Sequence, residues 1–237
     1  MLGTAPEAHM ASIIIASIPV HGHVTPMLTV AERFVERGDD VRFVTGSRFA
    51  DKVAATGASF VPLPAEADFD DTALVERFPE RATLTGLKAV AFDIEHVFVR
   101  PAKAQYATLI AALAAQPADA VLAEPVFIGA AFLLGHPRPA RPAVVVCGVI
   151  PLCIDSRDTA PFGMGLPPAR ILNRHRNTAL TALTRRVLRQ AKHIVDDLHH
   201  GARHGLAGRD GRLGPPSRRT RPVQRSLIRI PSFRRAP

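Results

Sequence analysis

The chain of 237 residues has no tryptophan, one tyrosine and two cysteines. With so few rings, stacking platforms for single-stranded nucleic acid are scarce, and the core must be built from Ala, Val, Leu, Ile and the twelve Phe. Cys147 and Cys153 lie in an apolar run without a second Cys or His pair at zinc-ligand spacing, so they read as reduced, buried and structural, and no metal site is expected. No apolar run approaches the roughly 20 residues of a membrane-spanning helix. The stretch 12–20 is too short and lacks the basic residues that precede a secretion signal, while runs 120–135 and 143–154 are broken by Glu124, Pro125 and Pro151. A cytoplasmic protein with no transmembrane segment is expected.

What is present is an excess of positive charge: 30 Lys plus Arg against 21 Asp plus Glu, a net +9. Taken whole, such an excess attracts phosphate polymers. Divided by position it does not. Residues 1–200 hold equal numbers of basic and acidic side chains, and the surplus lies in residues 201–237, which have ten Arg, no Lys and one acid, Asp210. That tail is rich in Gly and Pro and too poor in apolar residues to offset the entropy of ordering it. The expected organisation is a flexible N-terminus at 1–10, an α/β body at 11–200 and a disordered basic C-terminal tail at 201–237, with no nucleic-acid partner.

The body alternates between strand and helix periods, the pattern of βαβ units around a parallel sheet. Strands are expected at 12–18, 41–45, 59–63, 119–123 and 143–148. Helices are expected from Pro26, behind Thr25 as its cap, to Gly38; at 48–56; over 82–115, split near Pro101; at 127–134; and over 171–200. Glu66, Asp68, Asp70 and Asp71 mark a solvated loop, and 151–169 an irregular one. The fold class is therefore a Rossmann-like, doubly wound parallel sheet, of strand order 3-2-1-4-5.

In such sheets ligands bind outside the carboxyl ends of the strands, at the point where strand order reverses. The first strand-to-helix loop reads Ile18-Pro-Val-His-Gly-His-Val-Thr-Pro26. It has neither the glycine spacing of a dinucleotide site nor a phosphate cradle. It offers His21 and His23, and an imidazole at a cleft mouth can take a proton from a hydroxyl; both could equally be helix-entry residues bonded to nearby backbone. The fourth strand ends on Glu124. With strands one and four adjacent, Glu124 and His23 are expected side by side, the carboxylate orienting the ring or complementing the dipole of the next helix.

The run 19–45, with Gly22-His23-Val24-Thr25-Pro26-Met27-Leu28, Ala31-Glu32-Arg33 and Glu36-Arg37-Gly38, resembles the N-terminal, acceptor-binding domain of GT-B glycosyltransferases, in particular bacterial UDP- or TDP-sugar-dependent enzymes acting on macrolides and other natural products. Segment 119–135 is similar to that family's D-x-V-x-x-D strand-to-helix turn. The resemblance implies one half of a GT-B fold and sugar transfer with inversion from a nucleotide-diphosphate sugar to the hydroxyl of a small-molecule or lipid acceptor. It implies His23 as base and Glu124, one methylene longer than the family's Asp, as its orienting carboxylate. His21, Phe127, Phe162 and Met164 are assigned to the acceptor pocket, with loops 64–82 and 151–169 as its walls.

No segment resembles the family's donor-binding half, so no covalently bound cofactor is expected; a nucleotide-diphosphate sugar is the expected co-substrate, its site lies outside this chain, and a separately encoded donor-binding half is the expected partner. The lysine-free tail has the character of a GC-rich gene translated out of frame, which implies a truncated enzyme. A non-catalytic remnant or binding module, and a binder of anionic polymers through the tail, are the alternatives. Self-association is expected through a cleft wall left uncovered.

Overall fold

A computed structural model of the chain describes residues 10–150, 156–161, 164–169 and 171–205. Its centre is a five-stranded, all-parallel sheet: β1 (Ser12–Ala16), β2 (Asp40–Thr45), β3 (Ser59–Pro62), β4 (Ala120–Ala123) and β5 (Ala143–Val146), in the order β3-β2-β1-β4-β5. The strand order is the expected one. Successive side chains of a strand point to opposite faces, and the isoleucines of β1 divide accordingly. Ile14 and Ala16 join Val44, Val121, Leu109, Leu113 and Phe127 on one face. Ile13 and Ile15 join Phe43, Val24, Met27, Phe49 and Val53 on the other. Two-sided burial is what an all-parallel sheet requires.

The helices are α1 (His21–Glu36), α2 (Ala50–Ala55) behind a 3-10 turn at Ser47–Phe49, α3 (Leu74–Arg77), α4 (Gly86–Asp93), α5 (Ala102–Ala115), α6 (Asn173–Val187) and α7 (Arg189–Gly205). α1 and α2 cover the second face; α5 and a run of 3-10 turns, Ile128–Gly135, cover the first. Arg42 crosses beneath the sheet, donating from Nη1 to Ala112 O at 2.7 Å and from Nη2 to Pro117 O at 3.3 Å. It thereby closes carbonyls at the end of α5, and burial pushes its pKa down, against the pull of Asp40.

Several local expectations are corrected. α1 begins at His21, five residues before Pro26, and Pro26 lies inside it. The acidic loop after β3 is not simply solvated: Ala67 and Phe69 are buried, and Asp68 accepts a hydrogen bond from Ser47 N–H at 3.1 Å. Gly46 permits that approach, since a Cβ there would collide with Asp68 and Pro19. In place of the α-helix expected at 127–134 there is a run of 3-10 turns, Ile128–Gly135. The stretch 82–115 is split near Pro101 as expected, but α4 first widens into a π-helix, Ile94–Val99. The expected single helix 171–200 is two, broken at Leu188, and the second continues to Gly205. Asn173 fixes the later start: its Oδ1 accepts from Ala169 N–H and its Nδ2 donates to Asp158 O, both at 2.9 Å. The remainder of the tail, and residues 1–9, lie outside the described residues.

Candidate functional site

The carboxyl ends of β1 and β4 converge where strand order reverses. Glu124 N–H donates to Ala16 O at 3.0 Å, extending the ladder by one residue, so the Glu124 side chain emerges beside the start of α1. Its Oε2 lies 2.8 Å from His23 Nδ1 and accepts Val126 N–H at 3.0 Å, while Oε1 accepts Ile18 N–H at 3.3 Å. The extra methylene of glutamate therefore does not prevent contact with the ring. Glu124 is 1% exposed. A buried carboxylate is tolerated only when its oxygens are hydrogen-bonded, and three donors converge on this one. One of them, Val126, belongs to the turn that follows, so ring orientation and turn closure are combined in one side chain.

The bond fixes the chemistry of the ring. A carboxylate at Nδ1 is an acceptor, so in the neutral ring it selects the tautomer with the proton on Nδ1 and the lone pair on Nε2. Phe98, on the π-helix, lies with its ring centroid 6.5 Å from that of His23. π-turns are uncommon and frequently lie at functional sites; here the turn brings an apolar ring to the imidazole.

His21 forms a second imidazole–carboxylate pair on the other flank of α1. Its Nδ1 lies 2.8 and 3.0 Å from the two oxygens of Asp71, and its backbone N–H donates to Asp71 Oδ2 at 2.9 Å. The ring packs edge-on against Phe49 at 4.8 Å. Asp71 takes the place of a helix cap. Val20, the residue before the helix, has no side chain that can accept a hydrogen bond, and a carboxylate at a helix N-terminus satisfies an orphan donor and complements the dipole. Burial pushes the Asp71 pKa up, but its backbone and ring bonds to His21, the charge of His21 and that of Arg48 outweigh it and hold the carboxyl below its ordinary value.

Of the other residues assigned to the acceptor pocket, Phe127 is 2% exposed and belongs to the core beneath the site. That corrects the expectation of a ring lining a pocket: the 3-10 turn at 128–135 folds Phe127 inward, against the face of the sheet. Met164 is half-buried in the 164–169 segment, and Phe162 lies outside the described residues. Cys147 is a free, half-buried thiol rather than a fully buried one, and burial pushes its pKa up; Cys153 lies outside the described residues. Among the described residues no group of three or more His, Cys, Asp or Glu could hold a metal ion, and no helix is long and apolar enough to cross a membrane. Asp71 and Phe98 were missed by sequence reasoning. Asp71 could have been found, because in a parallel sheet the loop after β3 starts at the same carboxyl end as the loop after β1.

An open parallel α/β unit therefore carries a carboxylate-bonded imidazole at its switch point. Comparison with known proteins finds its relatives. Over 207 residues the chain is 38% identical to the 4'-demethylrebeccamycin synthase of Lentzea aerocolonigenes, a match covering 87% of this chain and 46% of the synthase. Over 162 residues it is 33% identical to the UDP-glucosyltransferase B1 of Starmerella bombicola, covering 66% of this chain and 37% of that enzyme. Among solved structures, the calicheamicin glycosyltransferase CalG4 superposes with a TM-score of 0.46 at 24% identity, covering 76% of this chain and 43% of that one. No family model matches the chain. Its sequence relatives are glycosyltransferases, and the chain spans less than half the length of the curated relatives it matches.

Proposed function

We propose that this chain is the acceptor-side half of an inverting glycosyltransferase, with His23 as general base and Glu124 as the carboxylate that orients it. The acceptor hydroxyl gives its proton to Nε2 of His23. Its oxygen then forms a bond to the anomeric carbon of a nucleotide-diphosphate sugar, and the bond from that carbon to the diphosphate breaks with the electron pair leaving on the nucleotide. Attack opposite the leaving group inverts the anomeric centre. The observation that carries the reading is the 2.8 Å contact between His23 Nδ1 and a buried, triply hydrogen-bonded Glu124. It holds one tautomer ready and stabilises the imidazolium formed when the proton arrives.

In this reading the acceptor is a small molecule or lipid bearing a hydroxyl. Phe98 lies beside the base, and His21, Phe162 and Met164 are assigned to the acceptor pocket. The nucleotide-sugar donor is a co-substrate bound by the part of the relatives' length that these residues do not span. The free thiol of Cys147 suits a reducing compartment, and the reaction is assigned to the cytoplasm.

The test is to combine the chain with the C-terminal half of a relative, UDP- and TDP-sugars and a panel of hydroxylated aromatic and lipid acceptors, and to read products by mass spectrometry and anomeric configuration by NMR. Inverted glycoside is expected. Absence of product in every combination, with the fold of the chain verified, or product of retained configuration, would overturn the assignment.

A further inference from the structure

Phe98 reaches His23 from an uncommon kind of helical turn. Over Ile94–Val99 the backbone widens into a π-turn, with Arg100 N–H donating to Glu95 O, five residues back, at 2.9 Å. The sequence favours that turn in two ways. Glu95 Oε1 accepts from Arg100 Nε at 3.1 Å and from its Nη2 at 2.5 Å. On an α-helix, residues three and four apart are neighbours, whereas residues five apart point about 140° from each other at 3.6 per turn; a widened turn lets these two meet. Pro101 then offers no N–H, so the helical ladder breaks there in any register, and α5 starts afresh at Ala102.

The turn presents Val97, Phe98 and Val99 in succession. Both valines are buried, and Phe98 is half-buried against the core that contains Ala123 and Phe127. Those two residues bracket Glu124 in the chain. The Phe98 and His23 rings lie 6.5 Å apart between centroids and 44° from coplanar, within the range over which aromatic rings pack. Glu124 Oε2 meets the same imidazole at Nδ1. The His23 side chain keeps 14% exposure and that of Glu124 none.

A water molecule admitted to that bond would compete for the carboxylate and let the imidazole turn. An apolar ring offers water no partner, and a charge-assisted bond is stronger where water is kept out. We infer that Phe98 is a positioning residue: carried by the π-turn, its ring shields the His23–Glu124 bond from water and keeps the imidazole from turning off the carboxylate. Phe92, one turn earlier, stacks on His96 at 4.0 Å with Phe78 edge-on, and supplies an aromatic comparison on the same stretch of helix.

The test is proton NMR of the full chain with nitrogen-15-labelled histidine, following exchange of the His23 Nδ1–H with water; the signal is assigned by its absence in His23→Gln. Phe98→Ala should speed that exchange by about tenfold or more as water gains the bond, and Phe98→Leu should fall between it and wild type. The Nδ1–H of His21, held by Asp71 beside Phe49, should keep its rate in the same spectra, and Phe92→Ala should leave both unchanged. Combined with a donor half, Phe98→Ala should lower kcat by about tenfold to a hundredfold through misplacement of the ring, with the acceptor KM little moved. That effect on turnover rests on His23 as the base proposed above; the exchange rate does not.

A folded Phe98→Ala chain that protects the His23 proton as wild type does overturns the inference. If that variant does not fold, an unchanged rate in Phe98→Leu does the same. Equal acceleration by Phe92→Ala, or equal acceleration at His21, marks general loosening and also overturns it, as does a wild-type His23 proton that exchanges too fast to be seen. Slow exchange with a raised acceptor KM contradicts the shield, since Phe98 would then be a contact of the acceptor. Accelerated exchange with kcat and KM both unmoved upholds the shield and counts against His23 as the base.

Discussion

Glu124 Oε2 stands 2.8 Å from His23 Nδ1, and the same oxygen accepts Val126 N–H at 3.0 Å. One carboxylate thus orients the His23 ring and closes the turn after β4, so if His23 is the base proposed above, the chemical and structural roles of Glu124 should fail together but to different extents. Glu124→Gln keeps the size of the side chain but leaves one acceptor oxygen for three donors. The amide NH2 must then face an N–H, at a cost of about 1–3 kcal/mol for an unsatisfied buried group. Transfer activity should fall by about 100- to 10,000-fold, the range of general-base catalysis, far more than the lowered melting temperature accounts for. Calorimetry and initial rates on the same preparation separate the two.

Asp71 ties the loop after β3 to the first turn of α1. Its carboxyl is held below the ordinary value in the folded chain, so the stabilisation is complete above the unfolded carboxylate value of about 4 and is lost as pH falls through the lower folded value. Amide exchange at His21 should therefore stay slow at pH 5 and rise only in stronger acid. In Asp71→Asn, which retains one acceptor oxygen but no charge, exchange should be faster than wild type above the acid transition, lack that transition, and converge with wild type in strong acid.

His136 acts in the opposite pH range. Burial, reinforced by the nearby charge of Arg141, lowers its pKa from 6.5, and its Nε2 lies 2.6 Å from the Tyr106 hydroxyl. The unfolded chain takes up a proton that the folded chain refuses. Stability should therefore decline as pH drops below about 6.5 and level off once the folded value is passed. A melting series from pH 7.5 to 5.5 should show a shallower decline in His136→Gln than in wild type.

Gly129 sits where α5 crosses the turn after β4. A Cβ there would lie 2.5 Å from Gln105 Cβ and 2.6 Å from Tyr106 N. Backbone cannot yield cheaply, so Gly129→Ala should cost about 1–3 kcal/mol through overpacking, read as a lower midpoint in urea at unchanged slope.

Strand order, and with it the meeting of His23 and Glu124, was legible in the sequence because hydrophobic alternation and glycine stops recur along the chain and topology does the rest. The beginning of α1 was not legible. Thr25 and Pro26 are local start signals, but the donor at His21 is satisfied by Asp71, 50 residues away, a contact no window of sequence contains. The π-turn that brings Phe98 to His23 was hidden for a related reason: its residues read as ordinary helix, and the widening is visible only in the backbone. Phe127, assigned to the acceptor pocket, is instead 2% exposed and packed into the core, at the entry to a tight 3-10 turn.

The central claim is that His23 is the base and that its neighbour His21 is not. Initial transfer rates of wild type, His23→Ala and His21→Ala, each combined with the same donor half and the same acceptor, test it most directly. The account predicts near-complete loss for His23→Ala and a retained turnover number, with at most a raised acceptor KM, for His21→Ala. Equal rates for wild type and a folded His23→Ala chain would contradict it.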